Sequence, residues 1–414
     1  MKNVFALFVT LLLCINCSTV TKKKQLMAGA SSSNINPNVG MFIAGDKKNR
    51  KFTGVHDSIY AKAVVINNGE SSLAIVTLDC IGLLYPDVQK IRKRAASLIS
   101  TINLPAERII ISSNHVHTGP DVVGIWGASQ IESGVDDEYM EKMIETTAQV
   151  IAKASKNLDP VSTRYSAGTF GEKWVHNISE PEIDRSLTVL QFLNDSGKNV
   201  ASLTNFACHP TIYDAVHNEV SADFVGVFYN EMAKEVKGEH LFLQGAIGGW
   251  VQPDKENQSF EIGVKRGTEL ANAVKEQLKQ MKPMESSKIQ FANSVFELPV
   301  SNPGWSQLSK LGVIKREIGE TTTTEVAWFS IGSAQFITHP GETPPAYSFY
   351  SKELMNSEPK FVMGLTLDAM GYILKPSYFE EGTTIPHAEY LTRMSAGAEA
   401  GPTVLEQIDK VIPK

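Results

Sequence analysis

The sequence predicts an α/β fold, a single large domain in which helices flank a mixed β-sheet core. Three observations point there. Short runs rich in Val, Ile and Phe alternate along the chain with longer segments whose apolar residues recur at helical spacing. Hairpin signals lie between some strand runs, while helices separate others, so the sheet contains both antiparallel and parallel pairs. The chain has 414 residues, 42% of them hydrophobic, and shows no repeat, low-complexity stretch or linker after residue 34; one large core accommodates it.

Taken in order, Val39 to Ala44, Ile59 to Ile66 and Leu73 to Leu78 read as strands. Asn67-Asn68-Gly69 is a hairpin turn between the last two. Asp87 to Ser100 carries Val88, Ile91, Ala95 and Leu98 on one helical face. Ile109 to Ser112 is a short buried strand, stopped by Gly119-Pro120. Asp136 to Ser155 is a second helix, with Met140, Met143, Ile144, Val150 and Ile151 inward. Thr188 to Phe192 and Val200 to Phe206 are strands around the turn at residues 194–197. Ser221 to Lys237 is a helix, Leu241 to Leu243 a strand and Ile262 to Met281 a long helix. Ile289 to Leu298 is a strand, and Glu325 to Phe329 pairs with Ala334 to Thr338 through Ile331-Gly332-Ser333. Pro344 to Leu354 is a helix, Phe361 to Leu365 a strand and Pro402 to Ile412 the closing helix. The polar, threonine-rich region Ser301 to Thr324 is expected to be an excursion or flap.

A net charge of −6, with Lys and Arg dispersed, gives no nucleic-acid surface. At the N-terminus, Met1-Lys2 precedes the apolar run Val4 to Leu13, then Cys14 and Cys17. That run is shorter than the ~20 residues a bilayer span needs and fits the apolar region of an export signal. A cysteine directly after such a run resembles a bacterial lipoprotein signal. Residues 1–17 are therefore expected to be the signal, with Cys17 lipidated, residues 18–33 a polar tether and 34–414 the catalytic domain. Cys14 is the alternative lipidation site, and plain secretion the alternative route. The expected location is the periplasmic or cell-surface side of a bacterial membrane. Cys80 and Cys208 end apolar runs and are expected to be buried and unbonded.

Four strand tips carry polar residues suited to chemistry. Beyond Ile109–Ser112 come His115 and His117, two apart, which an extended chain would present on the same side. Beyond Val200–Phe206 comes His209; beyond Ala334–Thr338, Glu342; beyond Phe361–Leu365, Asp368 and then Tyr372. In α/β folds, functional side chains gather past strand ends, on loops held by the sheet. Histidines from two tips with a carboxylate and a tyrosine compose a mixed N/O set of the kind zinc takes. Each motif by itself has a plain structural reading as a turn or a core residue.

Together, in order, Asn114 to Asp121, Ala207 to Thr211, Ser221-Ala222-Asp223, the glycine-rich Gln244 to Gly249, Pro340-Gly341-Glu342 and Gly371-Tyr372-Ile373 resemble the neutral/alkaline (non-lysosomal) ceramidase family. The resemblance runs over residues 36 to 400, without room for the C-terminal immunoglobulin-like domain of larger members. It implies a zinc amidase that splits the N-acyl bond of ceramide-like substrates through a zinc-activated water. It also implies roles: His115, His209 and Glu342 as zinc ligands, Tyr372 on or near the zinc and assisting catalysis, and His117 as the catalytic acid/base. A small-molecule amide or lipid would be the partner, with the membrane reached through Cys17 and no nucleic acid involved.

The chain also departs from the family pattern. Asn177-Ile178 stands where the family has Asn-Arg, so a substrate-facing arginine is lost, and Arg185 aligns elsewhere. Gly248-Gly249-Trp250-Val251-Gln252-Pro253 replaces Gly-Asp-x-Ser-Pro, which removes the serine. The later Tyr-Glu motif has only the reversed Glu389-Tyr390, with His387 nearby. Trp250 is expected to favour an apolar or flat group if its loop borders the pocket; Trp126, Trp174 and Trp305 lie on other loops that sequence does not place. A binding lipoprotein that keeps the fold without activity, and a zinc esterase on the same scaffold, are the competing readings.

Overall fold

A computed structural model describes residues 25–254 and 256–414. The signal and Cys17 lie outside the described residues. The expected tether does not survive where it is described: Met27–Asn34 is a strand inside the main sheet, antiparallel to Tyr60–Asn67 along its whole length. Its residues are small or hydroxylated, which reads as a linker in sequence. Smallness is required, because a β-carbon on Gly29 would lie 2.3 Å from the Ala154 carbonyl oxygen of the helix packed above it.

Nine strands make the main sheet. From one edge the order is Glu239–Gln244, Asn199–Phe206, Ser186–Asn194, Asp159–Thr169, Met27–Asn34, Tyr60–Asn67, Ser72–Leu78 and Ile109–Ser113, with Lys282–Met284 added beside Asp159–Thr169. Both edge strands pair in parallel with their neighbours, and the interior pairs are antiparallel. The Met27–Asn34 and Asp159–Thr169 strands share only two residue pairs, and across that loose seam the sheet curls until its edge strands meet. Gln244 fastens the closure. Its amide donates to the carbonyls of Asn114 (2.9 Å) and Cys208 (3.0 Å), and its carbonyl accepts from the Cys208 amide (3.1 Å).

A second, four-stranded sheet has the order Ile289–Pro299, Thr321–Ile331, Ala334–Thr338 and Lys360–Met363, the last pair parallel. Phe329, Phe336 and Phe361 on it join Val76, Ile111 and Leu243 of the main sheet in one apolar core. The hairpin at Asn67-Asn68-Gly69 forms, closing the antiparallel Tyr60–Asn67 and Ser72–Leu78 pair. Helices Tyr85–Leu98, Asp137–Lys156, Asp223–Glu235, Phe260–Leu278, Pro345–Leu354 and Ala400–Val411 form where helical spacing marks them. Cys80 and Cys208 are buried and free.

Other expectations fail locally. Val39 to Ala44 makes only isolated bridges, Phe42 to Lys51 and Ile43 to Pro120, and no strand. Within Ser301 to Thr324 the chain forms the helix Pro303–Lys310, and the threonines at 321–324 begin the second sheet's long strand. That region is pinned by Arg316, whose guanidinium meets both oxygens of buried Asp368 at 2.8 and 3.0 Å. The strand-tip carboxylate of Asp368 is thereby spent on architecture.

Candidate metal centre

The loops past five strand ends converge at one end of the curled sheet. The main sheet contributes Ile109–Ser113, which leads to His115 and His117, and Asn199–Phe206, which leads to His209. The second sheet contributes Ala334–Thr338, leading to Glu342, and Lys360–Met363, leading to Tyr372. Glu239–Gln244, between them, supplies the glycine-rich turn.

His115 and His117 do meet, although alternation along a strand is not the cause. The strand ends at Ser113, and His115 has φ of +71°, a left-handed conformation that a β-carbon disfavours and that tends to mark functional loops. The segment after Ser72–Leu78 holds that loop in place. Cys80 accepts from the His115 amide (3.0 Å), Leu78 from the Asn114 amide (3.1 Å), and the Asn114 side chain bonds Asp79 at 2.5 Å.

Each imidazole is oriented by an acceptor on Nδ1: the Ile81 carbonyl for His115, the Val251 carbonyl for His209 (2.6 Å) and the Asp214 carboxylate for His117 (2.9 Å). The three Nε2 atoms are thereby turned inward. The metal-capable nitrogens of His115, His117 and His209 all lie within 4.8 Å of one another. Glu342 joins them, with Oε2 2.9 Å from His209 Nε2 and Oε1 3.6 Å from His115 Nε2. Tyr372 runs parallel to Glu342 in a local bridge, and its phenol bonds the carboxylate.

Electrostatics agree with a cation-binding pocket. Burial pushes the His115 imidazole down to about 3, so it is neutral and able to donate a lone pair. Burial alone would raise Glu342, but the surrounding imidazoles outweigh it and hold the carboxyl below its usual range. Burial, and then Glu342 beside it, drives the Tyr372 phenol far above 10, which keeps it protonated.

The chain's own donor set can be tested against a metal. His117 Nε2 is buried and makes no hydrogen bond, an orphan beside two other imidazoles and a carboxylate. Three imidazole nitrogens with one carboxylate, each imidazole fixed through its outer nitrogen, is the composition and support that zinc sites use. The residues fit a divalent ion. His117 lies in the same nitrogen cluster as His115 and His209, and it alone carries a carboxylate behind it.

Sequence reasoning missed three contributors. Asp214 holds His117 and is itself held by the Asp46 amide (3.0 Å) and Arg50 (3.6 Å). Nothing in its local sequence marks it, because the contact spans 97 positions. Gln244 was visible only as the start of a glycine-rich run. Tyr390 stacks on Trp250 and lies 6.5 Å, edge-on, from Tyr372. Among the sites singled out by departure from pattern, Ile178 and Trp250 are neighbours: the Ile178 amide donates to the Trp250 carbonyl at 3.3 Å. Trp174 is core, and Trp305 packs near Gly371.

Comparison with known proteins bears on this geometry. A crystal structure of neutral ceramidase from Pseudomonas aeruginosa superposes with a TM-score of 0.74 at 15% identity, covering 94% of this chain and 74% of that one. A ceramidase complexed with C2 gives the same TM-score at 14% identity, covering 75% of its chain. At that identity the match shows the fold. Neutral ceramidase B of Dictyostelium discoideum is 24% identical over 209 residues, 45% of this chain; the aligned stretch covers 28% of that relative, less than a third of its length. A family profile described as neutral/alkaline non-lysosomal ceramidase, N-terminal, matches residues 36–260, more than half of the chain, and takes in His115, His117 and His209 in their loops. Profile and fold agree on one conclusion: the chain belongs to the neutral/alkaline non-lysosomal ceramidase family.

Proposed function

We propose that the protein is a zinc-dependent amidohydrolase that cleaves the N-acyl bond of ceramide-like or simpler N-acyl substrates. The observation that carries this reading is the inward convergence of three oriented imidazoles on Glu342. His115, His209 and Glu342 would hold the ion. When bound, it supplies Lewis acidity that brings a water's pKa toward ~7. His117, backed by Asp214, takes the proton of the attacking water through Nε2 and returns it to the departing amine. Asp214 fixes the tautomer that leaves Nε2 free to accept, and it stabilises the imidazolium once formed. Tyr372, protonated, donates toward the oxygen on which negative charge develops. No serine or arginine of the family pattern is needed for these steps.

The test separates ligand from acid/base. His115→Ala and His209→Ala should lose both metal and activity, since three protein ligands are close to the minimum for a catalytic site. His117→Ala should retain metal by elemental analysis while losing ~10²–10⁴ in kcat on N-acyl amides. Full zinc in the first two variants would remove the ligand assignment. For location, we propose a lipid anchor at Cys17. Wild type should partition into detergent and Cys17→Ser into the aqueous phase; a soluble wild type without lipid by mass spectrometry would refute the anchor.

A further inference from the structure

The glycine-rich turn before Trp250 is held close against the candidate metal site. Gly248 packs against the metal-site loop so closely that a β-carbon there would lie 2.4 Å from the Glu342 carbonyl oxygen. Gly249 follows with φ of +76° and Trp250 with φ of +77°, the latter a conformation that is costly for a bulky residue. One residue on, the Val251 carbonyl orients His209. The indole is thus aimed by a backbone tied to the metal centre at both ends.

Its direction is informative. The Trp250 ring lies flat on Tyr390, with centroids 5.2 Å apart and planes at 9°, and edge-on to His387 at 5.4 Å. His387 also has positive φ, +60°, so two non-glycine residues in left-handed backbone face each other here. Tyr390 leads back to Tyr372 and so to Glu342. Beyond His387 lies an open depression of about 540 Å³, where Phe379, Ile385 and Ala388 sit among the polar Thr383, Glu389 and Thr392. Tyr378 closes it behind the same turn, its phenol oxygen 3.2 Å from where a β-carbon on Gly249 would be. A void of ~150 Å³ is enough for a benzene ring, so this one has room for an aryl or branched alkyl group.

We propose that the Trp250–Tyr390 wall and the cavity past His387 form a specificity subsite, which selects amides bearing a flat or apolar group near the scissile bond and makes ceramide a secondary substrate. The proposal rests on the amide-hydrolase reading above. An indole face offers dispersion and quadrupole contact to a ring or alkyl surface and few hydrogen bonds to a polyhydroxy headgroup. On the other side of the turn stands apolar Ile178, whose backbone amide is bonded to the Trp250 carbonyl. The Ile178 and Trp250 side chains bring no charge to this turn.

The experiment has two arms on the zinc-loaded protein and its Trp250→Ala, Trp250→Phe and Ile385→Trp variants. The first measures kcat/KM for an N-acyl benzylamine and for ceramide. Wild type should prefer the aryl amide; Trp250→Ala and Ile385→Trp should each cut the aryl-to-ceramide ratio by ~10-fold or more, and Trp250→Phe should keep most of it. The second measures Kd for a benzyl alkyl ketone, which has the carbonyl and the ring but no C–N bond, by calorimetry. It should weaken in Trp250→Ala and Ile385→Trp at unchanged zinc content. If no amide is cleaved yet ketone binding depends on Trp250, hydrolysis is the wrong reading and the subsite stands. If amides are cleaved with the ratio unchanged across variants, or ketone affinity is equal in all four proteins, the subsite is wrong.

Discussion

The Asp214 carboxylate gives His117 a partner of a kind that its two neighbours lack. His115 and His209 lean on backbone carbonyls, which orient a ring but do not compensate a charge on it, whereas a carboxylate does both. Asp214→Asn should therefore leave zinc content intact, lower kcat by ~10²-fold with KM nearly unchanged, and shift the acid limb of the pH–rate profile. An unaltered kcat would remove Asp214 from the mechanism. A second residue-scale effect concerns stability. Burial lifts the carboxyls of Asp79 and Asp223 to about 7, against partial relief for Asp79 from Lys62 and the Tyr60 amide, and for Asp223 from the Tyr213 and Phe224 amides. A carboxyl raised above its unfolded value binds its proton more tightly when folded, so its stabilisation is full below ~4 and lost as pH climbs through 7. The Tm should fall between about pH 5 and 8, and Asp79→Asn should flatten that slope; calorimetry at stepped pH would show an equal slope in both if Asp79 titrates normally.

Among elements, the candidate residues His115, His117, His209, Glu342 and Tyr372 follow strand ends, and that much was legible because HxH, Ala-Cys-His-Pro, Pro-Gly-Glu and Gly-Tyr-Ile each stop an apolar run. What holds the loops in place was not legible. Gln244 bonds to residues 130 and 36 positions away, a contact no local pattern contains. The Met27–Asn34 strand was hidden by its own composition, since the space under the Asp137–Lys156 helix admits only small residues and a run of Ala, Gly and Ser looks like linker. Asp159–Thr169 was missed for a related reason: it is half exposed and polar, and its alternation is weak. Shape at the site is enforced by close approach, and Gly248, against the Glu342 carbonyl, is one case. Gly248→Ala should push the Glu342 loop outward and weaken zinc affinity by ~10–100-fold, read by competition with a chromogenic chelator. Equal affinity would mean the loop yields at no cost to the ligand.

At the scale of the molecule, the candidate centre spans both sheets. His115, His117 and His209 come from the curled sheet, Glu342 and Tyr372 from the other. An ion held there would cross-link them, and a ligand bound only by the folded state adds ~4 kcal/mol at a thousandfold excess over Kd. Chelation should lower Tm by several degrees, on the order of 5 °C, and zinc should restore it; an unchanged Tm would mean that the sheets do not share the metal.

The central place of Met27–Asn34 has a mechanical corollary. Asn34 pairs with Tyr60, at the end where Leu78 hands the chain to Asp79 and the metal loops, while Met27 pairs with Asn67 at the far hairpin. The strand therefore begins at the pole opposite the candidate metal site, roughly 25 Å of strand away. Tension applied at Met27 would load the middle of the sheet, in shear along the full ladder with Tyr60–Asn67, instead of peeling an edge strand.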